Sequence, residues 1–259
     1  MFRDHCAAIP AVALCLVAAG TVSAAPQTFY GQDLGLGNNF RLPSHPIADA
    51  ARDAFLASLA AGVPTETFEG IAATDAQLVP RNVSLTFGPQ TALLSGPGLV
   101  MDLPAPSTAN PVNGIPSGVY PISGTHAWLS SDDFSISFDR AQVALGFYGV
   151  DIGDFNGQLT LDLVHADQTT TRVLASSGVT NNGGSVQYFG VLSVDHPFVA
   201  VRFGNSAPVG YDGFVFDDLT IATAEQLAAP VPELPSGAML FAGLAALAGM
   251  ASRRGVIQR

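Results

Sequence analysis

Six acids stand where short runs of β-forming residues begin or end: Glu69 after Phe68, Asp151 and Asp154 in DIGDFNG, and Asp212, Asp217 and Asp218 in YDGFVFDD. Carboxylate and carbonyl oxygens are the hard ligands that calcium takes. If the first and last strands are neighbours, Glu69 meets Asp217 or Asp218, so these three are the candidate calcium ligands. The plainer reading is that acids at such places cap turns and stay solvated. DIGDFNG is not an EF-hand loop, because setting Gly157 as the turn glycine puts Ile152 at the first ligand position and no glutamate closes the loop. Any two of these acids at the right separation would serve a glycosidase, and sequence spacing does not give that separation.

Other chemistry has less to stand on. His126, His165 and His196 are scattered, without the HExxH pairing of a zinc protease. No G-x-S-x-G elbow holds a nucleophilic serine, and NNGGS reads as a turn rather than a phosphate cradle. Both cysteines, Cys6 and Cys15, lie in the first 24 residues, which leaves the rest without disulfides, thiolates or cysteine-zinc sites. Trp128, Tyr120, Tyr148, Tyr188 and Tyr211 would stack on sugar rings if exposed, but such residues more often fill a core. No catalytic residue and no cofactor beyond calcium is assigned. The chain has ten arginines, no lysine and 21 acids; without its two ends the body keeps six arginines and 19 acids, a balance of −13. Such a surface does not neutralise a phosphate backbone, which excludes nucleic acid as a partner.

Positioning these residues takes a frame. In SHPIADAARDAFLASLAAGVP, Ser44 suits a cap and Pro46 a first turn, while Ile47, Ala51, Phe55 and Leu59 recur on one face with Leu56 beside them. Gly62 and Pro64 end that helix. Candidate strands follow at 65–68, 84–87, 134–138, 141–148, 158–165, 170–174, 186–194, 198–203 and 214–221. Two of them alternate as half-buried strands do: Leu159, Leu161 and Leu163 against Thr160 and Asp162, and Val199, Val201 and Phe203 against Ala200 and Arg202. Residues 25–43 read as a loop or leader, and the Pro- and Gly-rich stretch 95–125 as a long surface loop carrying short edge strands, on which a ligand pocket could be built. The fold class expected is all-β: an antiparallel, jelly-roll-like β-sandwich with one N-terminal amphipathic helix.

The two ends differ from the body. Residues 1–24 read as a signal peptide, with Arg3 before an apolar run from Ala7 to Gly20 and small residues at Val22-Ser23-Ala24. At the other end, residues 235–252 carry no charge and would make ~27 Å of helix, a short transmembrane segment, with Arg253 and Arg254 held on the cytoplasmic side. The domain plan is therefore signal peptide 1–24, leader and helix 25–64, β-sandwich 65–224 and tail 225–259.

The order Val-Pro-Glu, small apolar residues and Arg-Arg over residues 231–259 resembles the PEP-CTERM sorting signal of Gram-negative bacteria. It departs from that signal at Leu234, where the motif has its second proline, with Pro235 one step later. The resemblance implies an exosortase as partner, with Pro232 and Glu233 as its recognition residues, and a host that makes extracellular polysaccharide. AARDAFLASLAAGVPTETFEG, GFYGVDIGDFNGQLTLDL and YDGFVFDDLTIA look like the exported domains that precede such tails. The acid placement is similar to that of sugar-binding jelly rolls, where a structural calcium is held.

Together these readings describe an exported, non-enzymatic protein delivered by the secretion machinery and anchored transiently in the inner membrane. Its destination is the cell surface or matrix, where it associates with extracellular polysaccharide. A purely structural matrix protein and an extracellular polysaccharide hydrolase are the alternatives.

Overall fold

The computed structural model describes residues 24–38, 40–75, 77–103, 118–153, 155, 157–176, 183–206 and 212–229. Residues 1–23 of the expected signal peptide, residues 230–259 of the expected sorting tail with Pro232, Glu233, Arg253 and Arg254, residues 104–117, Asp154 and Tyr211 lie outside them. Among the described residues no helix is long and apolar enough to cross a membrane.

The elements run β1 (Gln27–Asp33), α1 (Pro46–Leu56), β2 (Thr65–Glu66), β3 (Val79–Phe87), β4 (Gln90–Asp102), β5 (His126–Ser130), β6 (Phe134–Gln142), β7 (Ala144–Val150), β8 (Leu159–His165), β9 (Thr170–Leu174), β10 (Val186–Leu192), β11 (Phe198–Asn205) and β12 (Phe214–Ala222). They pair antiparallel in the order β1-β10-β7-β12-β5-β4-β6-β11-β8-β9, with β2 beside β12 and β3 beside β4. The all-β, antiparallel expectation is met, and the single sheet curls so that its two halves face each other. The curl is made by β4, whose residues 92–95 pair with β6 and whose residues 99–102 pair with β5. Between these stretches lies Gly96-Pro97-Gly98, where the strand changes from one half to the other.

Rings from both halves close the core. Phe134 of β6 stacks on Phe203 of β11 at 4.4 Å and meets Phe216 of β12 edge-on at 4.8 Å, and Phe147 of β7 lies 5.1 Å from Phe216. Burying each such side chain contributes roughly 1.5–3 kcal/mol. A second core lies on the far face of the β7 half, where α1 packs on β1, β10 and β7 through Ala48, Ala51 and Phe55. Covered on both faces, β7 (ALGFYGV) is buried throughout and shows no alternation. On the β8 half the outer face is open, and LTLDLVH alternates.

Several expectations are corrected. The stretch read as a leader contains β1, fully registered along β10, so the sheet begins before the helix. Residues 95–102 belong to the 13-residue strand β4, paired with β3, β5 and β6, rather than to a surface loop with short edge strands. Strand 141–148 is divided at Val143 between β6 and β7. The helix stops at Leu56, and Ile47 is exposed while Ala48 is buried. The first turn is fastened from outside: the Ile47 and Ala48 amides donate to Asp33 Oδ2 at 3.0 and 2.9 Å, where Ser44 had been expected to cap. In β11 a bulge between Phe198 and Ala200 displaces Val199, so Phe198 takes the buried place.

Candidate functional site

The acids singled out in the sequence do converge, on the loop that precedes β5. Phe68 is fully buried with a left-handed backbone (φ 61°), which turns Glu69 toward that loop. Glu69 Oε1 accepts the amides of Thr125 and His126 at 2.8 and 2.6 Å. Burial alone would raise this carboxyl, but the two amides hold it below the ordinary glutamate range. From β12, Asp217 Oδ2 accepts the Ile122 and Ser123 amides at 2.7 and 2.9 Å, and Asp218 Oδ1 accepts the Ser123 hydroxyl at 2.6 Å. Neighbours on a strand ordinarily point to opposite faces. Here the register against β7 shifts between Asp217 and Thr220, and Asp218 is left-handed (φ 49°), so both reach one loop.

These oxygens are therefore engaged by N–H and O–H donors, the reverse of what a cation needs. Among the described residues no group of three or more His, Cys, Asp or Glu is placed to hold a metal ion. A melting temperature unchanged by a chelator is the expected outcome. A chelator-sensitive one, lost in Glu69→Ala, would put calcium here.

The remaining candidates are structural. Asp151 Oδ1 accepts the Gly184 amide at 2.6 Å, and Asp212 Oδ2 accepts that of Gly153 at 3.2 Å. His165 bonds the Pro197 carbonyl and the Thr171 hydroxyl, and its ring lies 5.4 Å from that of His196. His126 lies between Glu69 and Asp102, at 3.7 and 4.0 Å. Trp128, Tyr120, Tyr148 and Tyr188 are all buried, as aromatic core residues. Tyr120 also fastens its own segment, donating to the Gly184 carbonyl and accepting the Leu42 amide. The second described part of the proline-rich stretch, 118–125, is thus clamped against the sheet.

The open face of the β8 half offers a different site, none of whose residues had been assigned a role. A cavity of about 350 Å³ lies over β6, β11, β8 and β9, lined by Ser95, Asp133, Ser135, Thr160, Asp162, Arg172, Arg202 and Gly204 above buried Phe134 and Phe203. Arg172 grips Asp162 with two bonds, from Nε at 2.7 Å and from a terminal nitrogen at 2.8 Å. Those bonds, helped by nearby Arg202, hold the Asp162 carboxyl below the ordinary aspartate range. Asp133 Oδ1 accepts the Asn205 amide at 3.0 Å and the Thr160 hydroxyl donates to the Gly204 carbonyl at 3.2 Å, fixing the rim.

Arg202 stands apart. Arg41, Arg81 and Arg172 donate hydrogen bonds, and Arg52 and Arg140 have ion-pair partners. Arg202 alone has neither among the described residues of a chain with twice as many acids as arginines. A second recess of about 670 Å³, beside Gln90 and Gln226, is lined by amides that bond one another and is mostly apolar. Its lining also holds Arg140, ion-paired with Asp139 at 3.6 Å, whereas the groove holds Arg202, which has neither kind of partner among the described residues. The signal for it was the alternation in 158–165 and 198–203, which turns Thr160, Asp162 and Arg202 outward.

No family model and no curated protein matches the chain. Among solved structures it is similar to the K2 cleaved adhesin domain of Lys-gingipain, at 12% identity and a TM-score of 0.35, over 62% of this chain and 97% of that one. It is also similar to the C-terminal family 22 carbohydrate-binding module of Clostridium thermocellum Xyn10B, at 14% identity and a TM-score of 0.33, over 63% and 95%. A third likeness, to TmCBM61 in complex with β-1,4-galactotriose, has 12% identity and a TM-score of 0.19, over 40% and 74%. Likeness at this level assigns no ligand and no residue role to this chain.

Proposed function

We propose that this is an exported, non-enzymatic protein with a jelly-roll-like sandwich that binds extracellular polysaccharide in the groove over β6, β11, β8 and β9. The observation that carries the reading is Arg202, a guanidinium with neither a hydrogen bond nor an ion pair among the described residues, set among Ser, Thr and Asp side chains in an open cavity. A sugar hydroxyl both donates and accepts, and a site offering fixed donors beside fixed acceptors satisfies both needs. Glu69, Asp217 and Asp218 accept from the loop before β5, whereas the groove keeps in Arg202 a donor that no described residue takes up. In a native gel cast with a soluble polysaccharide, the full chain is expected to run late with no reducing sugar released. Unretarded migration across a panel of polysaccharides overturns the reading, and released sugar replaces it with a hydrolase.

Export and sorting belong to the same proposal and rest on the two ends of the sequence. The protein recovered from its producing cell is expected to lack about 25 residues at each end, one piece removed with the signal and one with the tail. An intact mass that retains the C-terminus contradicts sorting by exosortase.

A further inference from the structure

We propose that the ligand of this groove is an uncharged, linear polysaccharide lying extended across the strands; this deepens the glycan reading and depends on it. The outward residues are in register along one line. Arg172 of β9 faces Asp162 of β8, which faces Arg202 of β11; that residue faces Ser135 of β6, then Ser95 of β4, then Asn82 of β3. At the usual spacing between strands, this row across six of them is about 24 Å long. It is one side chain wide and runs perpendicular to the strands. The repeat of an extended β-linked glycan is close to the strand spacing, so successive rings present their hydroxyls to successive strands.

The chemistry along the row suits a polyol. Arginine only donates, ionised aspartate only accepts, and Ser and Asn do both. Exposed Leu174 and Leu93 lie on strands β9 and β4, to either side of the row, where the apolar faces of sugar rings can rest. No exposed aromatic ring lines the cavity, since Phe134 and Phe203 are its buried floor. Recognition therefore comes from many modest hydrogen bonds rather than one stacking platform, which makes affinity depend on chain length.

Charge sets the class. Within the groove Asp133 and Asp162 offset Arg172 and Arg202, so it carries no net charge, while the body around it is strongly acidic. A polyanion gains nothing locally and is repelled by the rest.

Calorimetric titration of the full chain with neutral β-1,4-linked gluco-, xylo- and galacto-oligosaccharides, and with oligogalacturonates of matching lengths, tests this. From disaccharide to hexasaccharide the affinity for a neutral series is expected to rise about tenfold or more and then level off. Asn82→Ala, at one end of the row, is expected to weaken the hexasaccharide and leave the disaccharide unchanged. Arg202→Ala, at the middle, weakens both. Affinity that is already maximal at the disaccharide overturns the extended mode, and oligogalacturonate bound as tightly as its neutral counterpart overturns the neutral class; either result leaves glycan binding itself standing. Absence of heat with every sugar fells the glycan reading and this inference with it.

Discussion

Phe55→Ala is expected to destabilise the protein by about 3–5 kcal/mol, the usual cost of emptying a buried phenylalanine site. Phe55 is fully buried where α1 crosses the β7 half, with Phe29 of β1 edge-on at 5.6 Å and Tyr188 of β10 at 5.9 Å. The sheet is shaped to receive it. A Cβ on Gly146 would lie 2.7 Å from the Phe55 ring, and one on Gly190 would lie 2.6 Å from it. Those two glycines on adjacent strands make the seat, and neighbouring backbone leaves little room for the site to collapse. Denaturant unfolding reads the effect, and the melting temperature should fall by roughly 10 °C. A loss below about 1 kcal/mol would mean that the helix is not docked on the sheet.

Asp217→Ala is expected to cost several kcal/mol, because the amides of Ile122, Ser123 and Asp218 all donate to this carboxyl group and would be left without their acceptor, at about 1–3 kcal/mol each. The same residue makes stability depend on pH. Burial, and then the negative neighbour Asp218, push its carboxyl up to about 8 against the pull of those amides. Below about pH 4 the group is protonated in folded and unfolded chains alike. From there to about pH 8 the unfolded chain gives up a proton that the folded chain holds, so stability falls as pH rises through that window, by up to about 1.4 kcal/mol per unit. Unfolding measured at pH 5 and pH 8 should therefore show the protein weaker at pH 8, and Asp217→Asn should shrink the difference. An equal difference in the variant would assign the effect to other groups.

The parts of the fold that could be read from sequence are those whose two faces differ in solvent exposure. Alternation in 158–165 gave strand and outward face at once, and Leu159, Leu161 and Leu163 are buried as expected. The strands that escaped notice have a different texture. In β4, SGPG interrupts the alternation just where the strand passes between halves, so a structural crossing reads as a loop. Glycine in β1 likewise reads as a loop signal, whereas a Cβ on Gly31 would lie 2.2 Å from the Ile47 carbonyl oxygen. The helix start at Pro46 was legible, but its cap was not, because Asp33 comes from another element.

For the site, the convergence of Glu69 with Asp217 and Asp218 was legible, since it needs only that the first and last strands be neighbours. What the carboxylates bind was not, because a backbone amide leaves no trace in the residue pattern. The groove was missed for a related reason. Asn82, Ser95, Ser135, Arg202, Asp162 and Arg172 come from six strands spread over some 120 positions, and only antiparallel register sets them in one row.

That row is the centre of the account, and one comparison reads it most directly: migration of the full chain and of Arg202→Ala through the same polysaccharide gel, each referred to a gel without polysaccharide. The guanidinium is exposed and without a hydrogen bond among the described residues, so its removal should leave the unfolding free energy within about 0.5 kcal/mol of the original while the retardation is lost. Retardation undiminished in the variant, with the fold intact, would place polysaccharide binding elsewhere on the molecule and contradict the groove.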